Sequence, residues 1–211
     1  MNTTFKTLSI AAALAASLGL AGCAANAVSG NSMPMDHGSA GAMSTAMPSA
    51  GSASPSAGAD HNQADIMFAQ MMIPHHSQAV EMSGIILAKP GMPAEVTALA
   101  TKIKGAQAPE IEQMTGWLTG WGAPTTMSDH SGHGMTGMVD DAGIDKLKAA
   151  AGTDAAKLFL QQMIGHHEGA IDMAQQEISA GKSAEAVKLG HDIVDAQQAE
   201  ITQMKQLLTT L

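Results

Sequence analysis

The sequence predicts an all-α fold, a four-helix bundle made of two duplicated helical hairpins. Three observations predict it. Aromatic residues make up 2% of the 211 residues and Tyr is absent, whereas β-sandwiches and barrels depend on aromatic and β-branched side chains. Apolar residues recur at the spacing of one helix face in several long segments. Finally, one stretch of the chain occurs twice, which indicates a repeated supersecondary unit.

Four long helices and one short helix are predicted after residue 59. The first begins with Asp60 as its N-cap and extends to about Lys89, where a Pro-Gly-Met-Pro segment ends it. Its apolar stripe consists of Phe68, Met72, Ala79 and Ile86. The other predicted helices are Pro93 to Leu118, a short piece from Asp140 to Ala150, a helix from Thr153 or Asp154 that stops before Gly181, and a helix capped by Ser183 that continues to the C-terminus.

The two halves of this region, residues 60–120 and 153–211, are copies of one hairpin. Residues 68–82 align with residues 159–173 at an offset of 91, and the second helices align at an offset of 90. Each hairpin has one apolar face, so the two copies bury these faces by packing together. The link between the two halves, which includes the Met- and His-rich loop of residues 121–140, is long enough to be a crossover and not a tight turn.

The first 59 residues predict a targeting signal and a tether. A weakly basic start precedes an apolar, Ala-rich run, and the run ends in Leu20-Ala21-Gly22-Cys23, which resembles a bacterial lipobox. We therefore expect a signal peptide over residues 1–22, lipid on Cys23 and a flexible Ala/Ser/Gly/Met linker over residues 23–59. The alternative is a transmembrane anchor, but the apolar run is short for a membrane span. This interpretation places the protein outside the cytoplasm, anchored by lipid to the bacterial membrane, in the periplasm or at the cell surface.

Charge and cysteine content exclude several classes of function. The formal charge is −9 and all ten basic residues are Lys, so the basic surface that nucleic acid requires is missing. A single cysteine leaves no internal disulfide, no thiolate zinc site and no cysteine-bound iron–sulfur cluster. Soft-metal chemistry outside the cytoplasm then depends on thioethers and imidazoles.

The repeated histidine pairs carry the main functional prediction. His75-His76 and His166-His167 occupy equivalent positions in the two copies, and on a helix both members of a pair flank the seam that faces the core. Methionines stand at matched positions beside them. The candidate metal ligands are His75, His76, Met72, Met82, His166, His167, Met163 and Met173. Imidazole together with thioether is a ligand set for copper, since Cu(I) accepts sulfur and His serves Cu(I) and Cu(II). The alternative is that these residues are core methionines and hydrogen-bonded buried histidines.

The second helix of each hairpin adds a carboxylate and a methionine four residues apart. These are Glu110 with Met114 and Glu200 with Met204. A carboxylate near a buried seam needs a partner, and the histidines of the first helix are the obvious one. The two glutamates are candidates either for orienting the imidazoles or for binding metal directly. A solvated helix face is the other interpretation.

A helix-weakening residue precedes each histidine pair. Pro74 removes a backbone hydrogen bond and bends a helix, and Gly165 holds the matching position in the second copy. A bent or widened helix at this point exposes ligand atoms. The alternative is that a helix simply starts at Pro74.

Methionine and histidine also cluster in polar segments, where they have no core to fill. The crossover contains Met127, His130, His133, Met135 and Met138. The tether contains Met33, Met35, His37, Met43 and Met47. These segments predict adaptable copper capture, with low sequence complexity as the competing explanation.

The two histidine motifs, Met72 to Met82 and Met163 to Met173, resemble the signature of the bacterial "domain of unknown function 305" family. The resemblance covers about residues 60–211 and includes both copies of the motif. It implies a ferritin-like four-helix bundle. Some members of that family are extracytoplasmic copper-binding proteins linked to copper tolerance, which implies copper binding at the His and Met positions of both motifs.

The combined prediction is an extracytoplasmic copper-binding lipoprotein that sequesters or transfers copper, as Cu(I) first. Its expected partners are copper, the membrane and another copper protein, and it is not expected to be an enzyme. A ferritin-like di-iron oxidase requires Glu-x-x-His pairs, which this chain lacks, and a multicopper oxidase requires a Cys ligand. The remaining alternative is a metal-free structural or partner-binding bundle.

Overall fold

A computed structural model describes residues 60–127 and 135–211, and within these ranges the chain forms helices and no strands. The helices of the described ranges are α1 (Gln63–Leu87), α2 (Ala94–Gly120), α3 (Asp141–Ala149), α4 (Gly152–Ala180) and α5 (Ala184–Thr210). The all-α prediction is confirmed, and the helices lie close to their predicted bounds. Ser183 caps α5 as predicted, because its side chain accepts a hydrogen bond from the backbone of Ala186.

The start of α1 differs from the prediction. Asn62, and not Asp60, is the N-cap, because the Asn62 side chain accepts hydrogen bonds from the backbone N–H of Ala64 and Asp65. The Asp65 side chain in turn accepts from the backbone N–H of Asn62, which completes a capping box. The side chains of Asn62 and Asp65 each accept from the other residue's backbone, whereas Asp60 alone would supply a cap from one side chain only. The helix therefore begins after Asn62.

Helix α1 continues through Pro74, so the interpretation of Pro74 as a helix start is wrong. Proline lacks the N–H of an interior helix position, and the turn at Pro74 therefore has one hydrogen bond fewer than its neighbours. Gly165 lies within α4 in the same way. Both weak points stand immediately before the histidine pairs.

The helices pair as the repeat predicts. Helix α1 packs along α2, α4 packs along α5, and the two hairpins meet mainly through α1 and α4. The apolar core falls into two clusters. One contains Met82, Met163 and Met204, together with Leu147 of the short helix α3, and the other contains Met72, Met114 and Met173. Each cluster thus combines methionines from both copies of the repeat.

Several predictions fall outside the described residues. They concern the signal peptide, Cys23, the linker, and the metal-capture residues Met33, Met35, His37, His130 and His133. Among the helices of residues 60–127 and 135–211, none has the length and uninterrupted apolar character needed to cross a membrane.

Candidate metal centre

A layer of four imidazoles lies at the middle of the bundle. His75 and His166 stand at the midpoints of α1 and α4, and their ring centroids are 3.7 Å apart with the ring planes tilted by 38°. His76 and His167 follow them on the same helices. All four side chains are buried. The fold therefore brings together the two histidine pairs that the repeat places 91 residues apart.

The second helix of each hairpin supplies a carboxylate to this layer, as the sequence predicted. His76 Nε2 donates to Glu110 Oε2 over 2.8 Å, and His167 Nε2 donates to Glu200 Oε2 over 2.8 Å. Since a carboxylate can only accept, each bond holds the proton on Nε2 and leaves a lone pair on Nδ1. This arrangement orients the rings as carboxylates do for metal-binding histidines.

The two carboxylates differ in their surroundings. Glu110 is 24% exposed, whereas Glu200 is 4% exposed and also pairs with Lys102 Nζ at 3.4 Å. Burial by itself raises the pKa of Glu200, but the hydrogen bond with His167 and the charge of Lys102 outweigh it, so that pKa is lowered. The solvated-face interpretation is therefore wrong for Glu200.

The inner histidines lack partners of good hydrogen-bond geometry. This holds for both ring nitrogens of His75 and His166 and for Nδ1 of His76 and His167. Burial lowers the pKa of His75 to about 3 and that of His166 to about 2, with the neighbouring imidazoles adding to the effect. The backbone of Thr136 lies near the His75 ring, and that of His75 near the His166 ring, and both partly oppose the fall in pKa. Burial also lowers the pKa of His167, although Glu200 opposes it. The imidazoles of His75, His166 and His167 are thus neutral at ordinary pH, which is the form that binds metal ions.

Methionines lie on both sides of the histidine layer. Along α1, Met72 precedes and Met82 follows the histidines, and α4 repeats this with Met163 and Met173. The α2 and α5 methionines, Met114 and Met204, are fully buried in the same two clusters. The thioethers of the predicted set are therefore buried in the core.

The crossover packs against α4 beside the histidines. A Cβ on Gly169 would lie 2.1 Å from the carbonyl oxygen of Thr136, and a Cβ on Gly137 would lie 3.1 Å from the carbonyl oxygen of His166. Gly137 also has a φ of 86°, which favours glycine. On the other helix, the Gln78 side chain binds both the N–H and the C=O of Val139, at 2.8 and 2.7 Å. The segment around residues 136–139 thus covers the layer.

The structure does not bring every predicted residue to the layer. Met127 is 44% exposed, and Met135 and Met138 lie half-buried in the crossover. Within residues 60–127 and 135–211, no three His, Cys, Asp or Glu side chains are grouped so that they alone hold a metal ion.

Sequence reasoning missed two residues that shape the site, Gln78 and Gly169. They occupy the same position of the two repeats, and both contact the crossover. Gln78 forms hydrogen bonds with it, whereas Gly169 packs closely against its backbone. In the sequence, the only indication was that Gln78 aligns with Gly169 instead of with an identical residue. The structure explains this difference, because the crossover contacts both positions.

The fold and the layer define a class of protein: a bundle of duplicated helical hairpins with paired histidines, carboxylate partners and methionines at its centre. The sequence profile of the family described as "Domain of unknown function (DUF305)" matches residues 65–208. The chain therefore belongs to this family. No protein with curated annotation matches it significantly.

Solved structures of relatives agree with this assignment. A DUF305 protein from Streptomyces coelicolor is 37% identical, with a TM-score of 0.66, over 70% of this chain and 93% of its own. A DUF305 fragment from Deinococcus radiodurans is 30% identical, with a TM-score of 0.65, over 71% of this chain and 98% of its own. CopM in its Cu(II)-bound form is 36% identical, with a TM-score of 0.59, over 69% of this chain and 96% of its own. CopM has also been solved in Cu(I)-bound and Ag-bound forms.

Proposed function

We propose that this protein is an extracytoplasmic copper-binding lipoprotein that sequesters or hands on copper, with Cu(I) as the preferred form, and so contributes to copper tolerance. The observation that carries the proposal is the histidine layer with its unpartnered ring nitrogens. A buried polar group without a partner costs about 1–3 kcal/mol. Six such nitrogens in one layer represent a large cost. Each neutral imidazole offers one lone pair, so a bound metal ion lowers this cost at the nitrogens that it contacts.

The donor set favours copper over other metals. Zinc and the hard cations have little affinity for thioether sulfur, whereas Cu(I) binds both thioether and imidazole. His75 and His166 supply the central lone pairs, and the Nδ1 atoms of His76 and His167 are available next to them. Glu110 and Glu200 hold the outer imidazoles in one tautomer. Met72, Met82, Met163 and Met173 supply the soft donors on either side.

Similarity to known structures supports the same assignment. CopM binds Cu(II), Cu(I) and silver in its solved forms, and the Streptomyces coelicolor relative is described as a secreted protein. Both cover the bundle region of this chain. We extend copper binding and an extracytoplasmic location to this chain on that basis, and we propose binding without catalytic turnover.

The test is a competition titration of the full chain with Cu(I), Cu(II), Zn(II) and Fe(II). The comparison variant carries Ala at His75, His76, His166 and His167, and the control is His191→Ala, which changes an exposed histidine of α5. We expect tight Cu(I) binding that the fourfold variant loses and the control keeps. Equal copper binding by all three proteins would move the chemistry to the crossover and tether, including His130 and His133. No preference for copper would favour a metal-free, partner-binding bundle.

A fourfold change in the core can also unfold the bundle. Circular dichroism of each variant therefore accompanies the titration. Glu200→Gln provides a milder change, since the amide oxygen still accepts from His167 Nε2. In a folded Glu200→Gln protein we expect copper affinity to fall by about 10–100-fold, the usual effect of altering the partner of a metal-binding histidine.

The lipid anchor has its own test. Cells expressing the chain or its Cys23→Ser variant are fractionated, and the protein is followed by immunoblot. We expect the wild-type chain in the membrane fraction and the variant in the soluble extracytoplasmic fraction. Equal distribution of the two would refute lipidation at Cys23.

A further inference from the structure

A groove lies on the surface between the N-terminal part of α1 and the C-terminal part of α4. Its volume is about 130 Å³, and three methionines line it: Met67, Met71 and Met173. Met67 is 42% exposed, Met71 is half-buried and Met173 is 6% exposed. The three thioethers therefore lie at successive depths, from solvent to the edge of the core. We call this feature the methionine groove.

The groove leads toward the histidine layer along one face of α1. Met67, Met71 and His75 are spaced by four residues, so they follow one another along the same side of the helix. His75 is buried and both of its ring nitrogens lack partners. A row of soft donors thus begins at the surface and ends at a buried imidazole whose unprotonated nitrogen has a free lone pair.

The second copy of the repeat lacks this arrangement. At an offset of 91, Leu158 and Gln162 stand where the first copy has Met67 and Met71. The short helix α3 covers this equivalent region: Gln162 Nε2 donates to the carbonyl oxygen of Gly143, and Leu147 is fully buried in the same cluster as Met82. One end of the α1–α4 seam is therefore closed by α3, whereas the other is open and lined by thioethers.

We propose that the methionine groove is a second site for a soft monovalent cation, Cu(I), which shares Met173 with the proposed histidine centre and takes up the ion before it reaches the histidine layer. The proposal deepens the proposed function and rests on it only for the onward step. Three neutral thioethers favour Cu(I) or Ag(I) and give little affinity for Cu(II) or Zn(II). The ion moves from thioether to imidazole by exchange of ligands, without a change in oxidation state.

The test uses the full chain labelled with ¹³C at the methionine methyl groups and titrated with Ag(I), a diamagnetic substitute for Cu(I). The key variant is Met67→Leu with Met71→Gln, which are the residues that the second copy carries. The control is Met92→Leu, a half-buried methionine that packs on the other core cluster. Single Met→Leu variants assign the methyl signals, and thermal unfolding confirms that each protein is folded.

We expect the methyl signals of Met67, Met71 and Met173 to shift together at low Ag(I). The double variant should bind one equivalent of Ag(I) or Cu(I) fewer, and Cu(I) should reach the histidine layer at least ten times more slowly, with Cu(II) binding unchanged. The control should behave as the wild type. The proposal is overturned if the three methyl signals do not shift, or if the double variant binds as many equivalents at the same rate.

Failure of this proposal is distinguishable from failure of the proposed function. In the variant with Ala at all four histidines, the methionine groove should still bind one Ag(I). If that variant keeps the groove signals while the wild-type histidine layer binds nothing, the groove is a site and the proposed function is wrong. If the histidine layer binds Cu(I) but the methyl signals of the groove stay unchanged, the proposed function stands and the groove is not a site.

Discussion

The two hairpins of the bundle are copies that agree at the centre and differ at the ends. Both place a histidine pair in the middle of the first helix and a carboxylate on the second helix at 2.8 Å from the second histidine. Away from this layer the copies diverge at matched positions. Five examples are Asp65 and Ala156, Met67 and Leu158, Met71 and Gln162, Gln78 and Gly169, and Ile86 and Glu177.

This comparison separates binding from access. The shared residues form the layer, and the diverged residues decide what covers it. In the second copy, Gln162 and Gly169 hold α3 and the crossover against α4. In the first copy, the matching surface near Met67 and Met71 stays open. A duplicated unit can therefore give a symmetric ligand set with one closed and one open side.

The largest expected effect concerns the shared layer, in which the two halves should respond alike. The native pKa values of His75 and His166, about 3 and 2, lie below the ordinary 6.5. The unfolded chain therefore binds protons that the native chain does not, and stability is lost as pH falls from 6.5 toward 3. Between pH 6.5 and 4 the metal-free protein should lose on the order of 3 kcal/mol for each of the two histidines.

Urea denaturation of the metal-free protein at several pH values measures this loss. His75→Leu and His166→Leu should each flatten the dependence on pH by a similar amount, whereas His191→Leu should leave it unchanged. A change confined to one of the two inner histidines would break the symmetry of the layer.

The second effect concerns the closed side. Gly169→Ala places a methyl group within 2.1 Å of the Thr136 carbonyl oxygen, so the crossover must move. We expect a loss of about 2–3 kcal/mol in the free energy of unfolding, as in other overpacked sites. Gly165→Ala is the matched control: its Cβ meets nothing within 4 Å, and alanine stabilises a helix interior by up to about 1 kcal/mol. Equal effects of the two substitutions would show that the crossover contact is unimportant.

The third effect distinguishes the two carboxylates. Glu200→Ala removes the buried partner of both His167 and Lys102, and it should cost about 2 kcal/mol. Glu110→Ala removes the more exposed partner of His76 and should cost about 1 kcal/mol, because water replaces part of the bond. Chemical denaturation at pH 7 measures both values. A larger loss of unfolding free energy for Glu110→Ala than for Glu200→Ala would contradict the conclusion that Glu200 is the more buried partner.

The smallest effect concerns the acidic pair Asp65 and Glu177, where the matched positions hold Ala156 and Ile86. Burial, with the neighbouring Asp65 carboxyl, raises the pKa of Glu177 to about 8. Its native form holds a proton that the unfolded form releases, so stability is lost as pH rises from about 4.5 toward 8. Glu177→Gln keeps the site neutral and should raise the melting temperature at pH 9 by about 4 °C relative to the wild type.

The matched control for this pair is Glu168→Gln, an exposed carboxylate on the same helix. It should change the melting temperature little at either pH. A rise at pH 9 that also occurs at pH 5, or that Glu168→Gln shares, would contradict the role of the buried pair.

Much of the fold was predictable because the apolar spacing, the turn residues and the repeat all indicate the same hairpins. The contact of Glu110 and Glu200 with the histidines was one of two interpretations that the sequence left open, and the tertiary structure selected it over a solvated helix face. The N-cap of α1 was not predictable, because both Asp60 and Asn62 suit a cap and only the reciprocal bond with Asp65 selects one. Continuity of α1 through Pro74 depends on packing along its length, which local propensity does not contain.

The sequence by itself determined the all-α class, the duplicated hairpin and the matched positions of histidine, methionine and glutamate, because helical periodicity and self-similarity are properties of the chain alone. Only the tertiary structure decided that the His75 and His166 ring centroids lie 3.7 Å apart with unpartnered nitrogens, and that one side of their layer is covered and the other open. The physical reason is that these features depend on contacts between helices far apart in the sequence. Which atoms lose water, and which find a partner, is fixed only when those helices pack.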